Sequence, residues 1–590
     1  MNFTGKQRRA ITVNNQLPAP TLRWKEGQRV TLRVTNHLKV DTSIHWHGII
    51  LPTGMDGVPG MSFPGIKPGE TFTYSFNVGQ SGTYWYHSHS GFQEQVGLYG
   101  PIVVEPAIAE PASADREHVI MLSDWSDNAP EDIYATLKKV SHYYNMNERT
   151  IFDTLRDFRE KGVAQTFRDR KMWNEMRMSD SDLSDVTGYT YSFLMNGQTP
   201  SQNWRGLFRK GEKVKLRFIN AAAMTFFDLR IPGLKMTVVA TDGQPVHPVT
   251  VDEIRMGVAE TYDVIVEPES DSAYSIFCQA LDRSGFAVGT LSDDKTLTAE
   301  IPDLDPVPVL GHTEMGMGHM NHGDMNHSSS PSQGSMDHAS MDHTSMNHAG
   351  MDMSGSSVNH DTMQHGTLNT NHGNTDHSTL DSPAMDHSQM NHGDMNHEVT
   401  SKAGSRTNPD LLSRKTVSDH LPSEYGPSTD MRAAMPQRML DDPGVGLRNN
   451  GRKVLTYSDM CYLHGLPDSL DSHRDITLHL TGNMERYMWG YNGIAFADAE
   501  PLRLKYGERV RINLVNDTMM HHPIHLHGMW SDIELGDDRL LRKHTVVVKP
   551  GEVTSYLVRA DAIGRWAYHC HLMYHMAAGM FREVRVEEKA

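Results

Sequence analysis

Residues 549–571 contain Lys549-Pro550-Gly551-Glu552 and then Gly564-Arg565-Trp566-Ala567-Tyr568-His569-Cys570-His571, with His575 and Met580 just beyond. The same two elements stand near the start of the chain, as Lys67-Pro68-Gly69-Glu70 and Gly82-Thr83-Tyr84-Trp85-Tyr86-His87. Another element occurs three times. Glu26-Gly27-Gln28-Arg29-Val30, Lys210-Gly211-Glu212-Lys213-Val214 and Tyr506-Gly507-Glu508-Arg509-Val510 each lead from a glycine turn into alternating apolar and polar residues. Alternation of period two marks a half-buried strand, because successive side chains leave a strand on opposite faces. Short strands between Gly and Pro turns suit β-sandwiches. The expected fold is all-β, with three domains of one type at residues 1–107, 113–303 and 440–590. One stretch departs from the pattern. At about 130–175, Ile133, Leu137 and Val140 and then Ile151, Leu155 and Phe158 recur at helical spacing, which predicts a helical insertion in the second domain.

A chain of 590 residues exceeds what one core organises. Mean hydropathy is -0.52, and no apolar run approaches the roughly 18 residues of a membrane helix, so no membrane span is expected. Three cysteines exclude a disulfide scaffold. A net charge of -18 argues against nucleic acid as a partner. The abnormal counts are 34 His and 37 Met. Residues 311–397 hold 14 of those His and 13 of those Met, with no Lys, Arg or aromatic residue. They repeat units such as Met336-Asp337-His338, Met341-Asp342-His343 and Met346-Asn347-His348. Such a composition buries too little apolar surface to offset its ordering entropy. A disordered linker is therefore expected at 304–439, with 311–397 as a metal-binding segment that collects extra copper ions.

Four histidine clusters stand outside that segment: His45-Trp46-His47, His87-Ser88-His89, His522-Pro523-Ile524-His525-Leu526-His527, and His569-Cys570-His571 with His575 and Met580. On a strand, each His-x-His pair presents two imidazoles to one face. Imidazole suits copper, zinc, iron and nickel. A Cys thiolate, two His and a Met thioether narrow the choice at the last cluster, because they are the ligand set of a blue-copper site. His569 and His571 point to the strand face opposite Cys570, so a thiolate site on one side is covalently joined to two imidazoles on the other.

In this order the four motifs resemble the signature of the multicopper oxidases, and within that family its copper-resistance branch. The resemblance covers nearly the whole chain and implies three cupredoxin-like Greek-key sandwiches. It implies four copper ions: type 1 on His522, Cys570, His575 and Met580; type 2 on His45 and His525; and a binuclear type 3 pair on His47, His87, His89, His527, His569 and His571. The second domain would carry no copper ligands, since Ala221–Gly233 and Ser275–Leu281 contain no histidine. Cys570 is the expected electron relay, through His569 and His571. Asp56 is the expected proton-handling acid, at the spacing where related enzymes place a carboxylate. A second acid found in many relatives just after the type 1 histidine is missing, because Met576 and Ala577 stand there.

Copper-dependent oxidation of Cu(I) to Cu(II), coupled to reduction of dioxygen to water in copper resistance, is the expected function. Met519, Met520, Met529 and Asp532 flank the third motif, either as a substrate Cu(I) site or as ordinary core and surface residues. Two rival functions remain: a laccase-like oxidase of phenols or catechols, and a copper-sequestering protein acting through 311–397. Residues 1–20 lack a charged start followed by an apolar core. A trimmed, exported, periplasmic protein is expected, acting as a monomer.

Overall fold

The computed structural model describes residues 1–108, 112–147, 149–176, 178–270, 272–311, 315–316, 418–464 and 471–588. The copper-collecting role expected for 311–397 falls outside them except at Gly311, Met315 and Gly316. The disorder expected for 304–439 falls outside them at 312–314 and 317–417, but 304–310 and 418–439 are ordered instead, because Leu310, Met431 and Ala433 are buried and Pro422–Tyr425 forms a 3-10 helix. The described residues form three pairs of β-sheets, the all-β arrangement expected. In the first pair, a four-stranded sheet runs Leu22–Lys25, Tyr99–Glu105, Gly82–His87, His45–His47, and the second sheet is Arg29–Thr35 with Thr71–Asn77. The second pair has six- and five-stranded sheets centred on Val214–Asn220 and Ala273–Ala280. In the third, a six-stranded sheet is centred on Arg509–Asn516. Its five-stranded partner runs Leu502–Lys505, Phe581–Glu587, Gly564–Cys570, His522–Leu526, Thr545–Val548.

Burial explains why the strands carrying the motifs read as apolar throughout rather than alternating. Every residue of Gly82–His87 is buried. Tyr84 and Tyr86 pack with Trp46, Tyr74 and Ile102 in the core of the first sandwich, whereas Trp85 joins the core shared by the other two. The Thr83 hydroxyl donates to Asp263 Oδ1 of the second sandwich at 2.6 Å. A strand covered on both faces has no solvent side to keep polar. Truncating Trp85 to Ala would cost about 3–5 kcal/mol by the usual large-to-small rule.

Three helices, Pro130–Leu137, Ile151–Glu160 and Val163–Met176, lie in the 130–176 region. The second starts with a capping box between Thr150 and Asp153, which satisfies two end groups that the helix itself cannot. Ile133 and Leu137 are fully buried, but Ile151 and Leu155 are 72% and 54% exposed. Helical spacing thus marks helices except at Val140, which lies past the end of the first helix and is exposed, and only Ile133 and Leu137 are fully in the core. No described helix is long and apolar enough to cross a membrane.

Candidate metal centre

Strand register brings the histidine motifs together. His45 pairs with His87, and His47 with Trp85, across antiparallel strands. In the third sandwich His525 pairs with His569, and Ile524 with Cys570. The two sandwiches meet at these strands, so rings almost 500 residues apart stack: His45 on His527 at 4.0 Å and His47 on His525 at 3.8 Å between ring centres. Donor atoms of His47, His87 and His571 converge within 4.8 Å of one another, as do those of His89, His527 and His569, and of His45, His525 and His527.

Six of the eight rings are held by one nitrogen and turn the other inward. His45 Nδ1 donates to the Asp56 carbonyl at 2.9 Å, His525 Nδ1 to the His544 carbonyl at 2.6 Å, and His569 Nδ1 to the Cys570 carbonyl at 3.0 Å. A carbonyl only accepts, so the nitrogen facing it carries the proton and the opposite nitrogen presents a lone pair. Nε2 of His45, His87, His89, His525 and His571 and Nδ1 of His47 are buried without a hydrogen-bond partner among the described residues. His527 Nε2 and His569 Nε2 face each other at 3.0 Å. Burial and the neighbouring imidazoles hold His47, His87, His89, His525, His527 and His571 well below the usual histidine range, and His569 falls to about 4. Buried orphan nitrogens are costly unless something accepts them. Eight imidazoles turned toward one space fit copper.

The thiolate site lies on the other face of the same strand. Cys570 Sγ is 3.5 Å from His522 Nδ1 and 3.9 Å from His575 Nδ1, and the two nitrogens are 3.3 Å apart. Ligands about 2.0–2.3 Å from one ion, spread in a plane, would be spaced by roughly these distances. Met580, fully buried, is tied to the site by its N–H donating to the His575 carbonyl at 3.0 Å and its carbonyl accepting from Cys570 N–H at 3.1 Å. Burial pushes the Cys570 thiol far up, so only a bound cation would draw out its thiolate here. The outer nitrogens are held too: His522 Nε2 by the Thr518 hydroxyl at 2.7 Å, and His575 Nε2 by Asp185 Oδ2 at 2.7 Å. Trp489 stacks on His575 at 3.7 Å.

Asp56 sits against the histidine cluster. Its Oδ2 accepts from His527 Nδ1 at 2.9 Å, and its Oδ1 lies 3.3 Å from His45 Nδ1. Gly57 makes that approach possible. It has φ +81°, and a Cβ there would lie 1.8 Å from the Ile44 carbonyl oxygen. Three further groups escaped the sequence reading. Glu94 Oε2 is 2.6 Å from His87 Nδ1, and burial, with Asp124 nearby, pushes its carboxyl well above the usual range. His544 Nδ1 is 3.2 Å from His47 Nε2. Burial raises Asp185, the carboxylate behind His575, to about 7. Only Glu94 had a usable signal, seven residues after His87 in the same motif; His544 and Asp185 arrive from distant segments.

Met519, Met520 and Met529 are buried in the apolar core. The Asp532 carboxylate is taken by Arg542 in a paired contact at 2.7 and 3.0 Å.

Multicopper oxidase family profiles match residues 1–108, 116–299 and 470–590. The chain is 58% identical over 590 residues to copper resistance protein A of Pseudomonas syringae pv. tomato and 54% identical to copper resistance protein A of Escherichia coli. Each alignment covers 100% of this chain and 91% of the relative. Among solved structures, Fet3p, a multicopper oxidase that functions in iron import, aligns with a TM-score of 0.56 at 18% identity, over 98% of this chain and 86% of that one. A laccase from Botrytis aclada aligns equally well, at 0.56 and 18%, over 98% and 84%. These two likenesses concern the fold, three cupredoxin domains.

Proposed function

The chain belongs to the multicopper oxidase family and is a copper-dependent oxidoreductase, and from that premise we propose that it oxidises Cu(I) to Cu(II) at the expense of dioxygen, in copper resistance. Per dioxygen, four Cu(I) are oxidised, four protons are taken up and two waters form. The observation that carries this reading is the pair of donor sets back to back on one strand. Cys570 lies between His522 and His575 on one face, with His569 and His571 among six further histidines on the other.

In this reading four resident coppers are held: type 1 by His522, Cys570 and His575 with Met580 beside them, type 2 by His45 and His525, and the type 3 pair by two triplets. The convergence of His47, His87 and His571, and separately of His89, His527 and His569, supports that division of six ligands into three and three. Copper, when bound, supplies one-electron redox chemistry at the thiolate and four-electron dioxygen reduction at the histidine cluster. The chain's own residues do the rest. Peptide bonds from Cys570 to His569 and His571 form one continuous covalent path between the two sets. Asp56 Oδ2 fixes the His527 ring, and the Glu94 carboxyl, raised well above the usual range by burial, lies against His87 Nδ1. Glu94 thereby offers the second acid absent at Met576 and Ala577.

Cu(I) is favoured over a phenol as reductant because His522 and His575 have no exposed edge on which an aromatic ring could lie. The name of the two bacterial relatives, copper resistance protein A, agrees with a role in copper resistance. The test is oxygen consumption by the copper-loaded protein with Cu(I) as the only reductant. Uptake that disappears in Cys570→Ser is expected. Uptake with a phenol but none with Cu(I) would replace this reading with the laccase-like one. No uptake with either, at full copper loading, would leave copper sequestration.

A further inference from the structure

Away from both donor sets, four side chains from three separate segments meet in the third sandwich. His420 and Glu424 are one turn apart at the 3-10 helix Pro422–Tyr425, His479 lies on the strand Arg474–Asn483, and Asp517 follows the strand Arg509–Asn516. Asp517 N–H donates to the Leu480 carbonyl at 3.0 Å, which presses that turn against the His479 strand. All four side chains are at least nine-tenths buried, and the two carboxylates completely so.

Their donor atoms alternate around a closed ring. His420 Nδ1 is 2.8 Å from Glu424 Oε2 and 3.4 Å from Asp517 Oδ2. His479 Nδ1 is 2.8 Å from Asp517 Oδ2 and 3.6 Å from Glu424 Oε2. A four-coordinate ion with ligands at about 2.0–2.1 Å spaces its donors by about 3.3 Å, close to the middle of this range. The orienting contacts are built as well. Asp517 Oδ1 accepts Ala433 N–H at 2.7 Å, and His479 Nε2 lies 3.5 Å from the Ser418 hydroxyl. Glu424 Oε1, the second oxygen of its carboxylate, is buried with no hydrogen-bond partner among the described residues, so it remains available to an ion.

We propose that His420, Glu424, His479 and Asp517 form a further mononuclear site for a divalent first-row cation, separate from the thiolate site and the histidine cluster. Two carboxylates carry two negative charges, which one divalent ion balances with both imidazoles neutral. Two nitrogens and two oxygens, with neither thiolate nor thioether, favour Cu(II) or Zn(II) over Cu(I), and Cu(II) binds tighter of the two. The competing arrangement is an ion-pair network of imidazolium and carboxylate with no metal. The site is close to the thiolate centre along the chain, since Asp517 is bonded to Thr518, whose hydroxyl holds His522 Nε2. The proposal does not depend on which reductant the enzyme uses.

The test uses the full-length protein with its four resident copper sites filled and the copper held outside them stripped with a Cu(II) chelator before the titration, so that the proposed site is open and Zn(II) serves as a distinct probe. Zn(II) is titrated against a chromophoric chelator in the parent chain and in Glu424→Gln and His479→Ala, all of which retain residues 311–397. The parent is expected to hold one more tightly bound Zn(II) than either variant, while the blue absorption of the Cys570 copper–thiolate, a check on folding, is unchanged. Equal numbers of tight Zn(II) in all three would overturn the proposal and leave the ion-pair network. If the variants lose the blue band, zinc X-ray absorption on the parent decides. A shell of two nitrogens and two oxygens supports the site, and a shell containing sulfur or imidazoles alone overturns it.

Discussion

Asp56→Asn tests how far the histidine cluster depends on a charge it does not bind. The side chain keeps its shape, and the Asp56 backbone carbonyl still accepts from His45 Nδ1 at 2.9 Å. What changes is the bond from His527 Nδ1, now made to Asp56 Oδ2 at 2.9 Å. The amide oxygen replaces a carboxylate there, and the amide N–H2 turns toward His45 Nδ1–H, 3.3 Å from the present Oδ1. A hydrogen bond to a charged acceptor contributes about 1.5–3 kcal/mol and a neutral one about 0.5–1.5 kcal/mol. The loss is then about 1–1.5 kcal/mol for His527, with a donor–donor contact added at His45. That loss alone is about five- to twelvefold at roughly 1.4 kcal/mol per tenfold, and the donor–donor contact at His45 carries the variant into the roughly ten- to hundredfold range typical of partners that orient metal ligands. The assay is oxygen uptake with Cu(I) as reductant, alongside copper content and the blue absorption. The expected result is a ten- to hundredfold fall in turnover with the blue band intact. Turnover within twofold of the parent would refute the claim that Asp56 positions the cluster, and loss of the blue band would show that the damage was not confined to it.

Gly57→Ala should act on the same loop through the backbone. Left-handed geometry alone costs a side-chain-bearing residue about 1–3 kcal/mol, and the Ile44 carbonyl must also move. Lower thermal stability together with reduced type 2 and type 3 copper is expected, and a variant with full copper content would contradict it. Asp185→Asn should alter the thiolate site alone, shifting its reduction potential while leaving the histidine cluster's copper in place; an unchanged potential in a redox titration would count against a role for Asp185 behind His575. In the second sandwich, burial alone would raise Asp228, but Arg255 and Arg283 outweigh it and hold the carboxyl at about 2. A folded value below the unfolded one, near 3.9, means stabilisation fully present above about pH 4 and lost as pH falls through 2, on the order of 2–3 kcal/mol. Denaturant unfolding of the parent and Asp228→Asn across that window should show a shallower acid dependence in the variant; identical slopes would sink the idea. Stripping copper with a chelator should lower the melting midpoint by several degrees, because the bound ions stabilise only the folded state, and a midpoint indifferent to copper would count against occupancy of the clusters.

The histidine motifs were legible because a strand repeats every two residues, so His45 and His47, or His569 and His571, share a face whatever the tertiary structure does. Three sandwiches were legible because their turns and strands recur. What the sequence hid comes from long-range closure. His544 reaches the cluster from the corner after Arg539–Lys543, and Asp185 reaches His575 across 390 residues. The outward row of Ile151 and Leu155 was hidden for another reason: helical spacing identifies an apolar face but not what it meets. His420 and Glu424 lie one turn apart in a segment that reads as linker, and only their meeting with His479 and Asp517 gives them chemical meaning.

The strand Gly564–Cys570 works as a partition. With Cys570 aimed one way and its neighbours the other, the two donor sets stand on opposite faces of one strand, joined by a few covalent bonds. That separation length is set by peptide geometry, not by packing, so breathing of the domains cannot stretch it. The spacing between the two donor sets is thus a property of the pleat of a single β-strand.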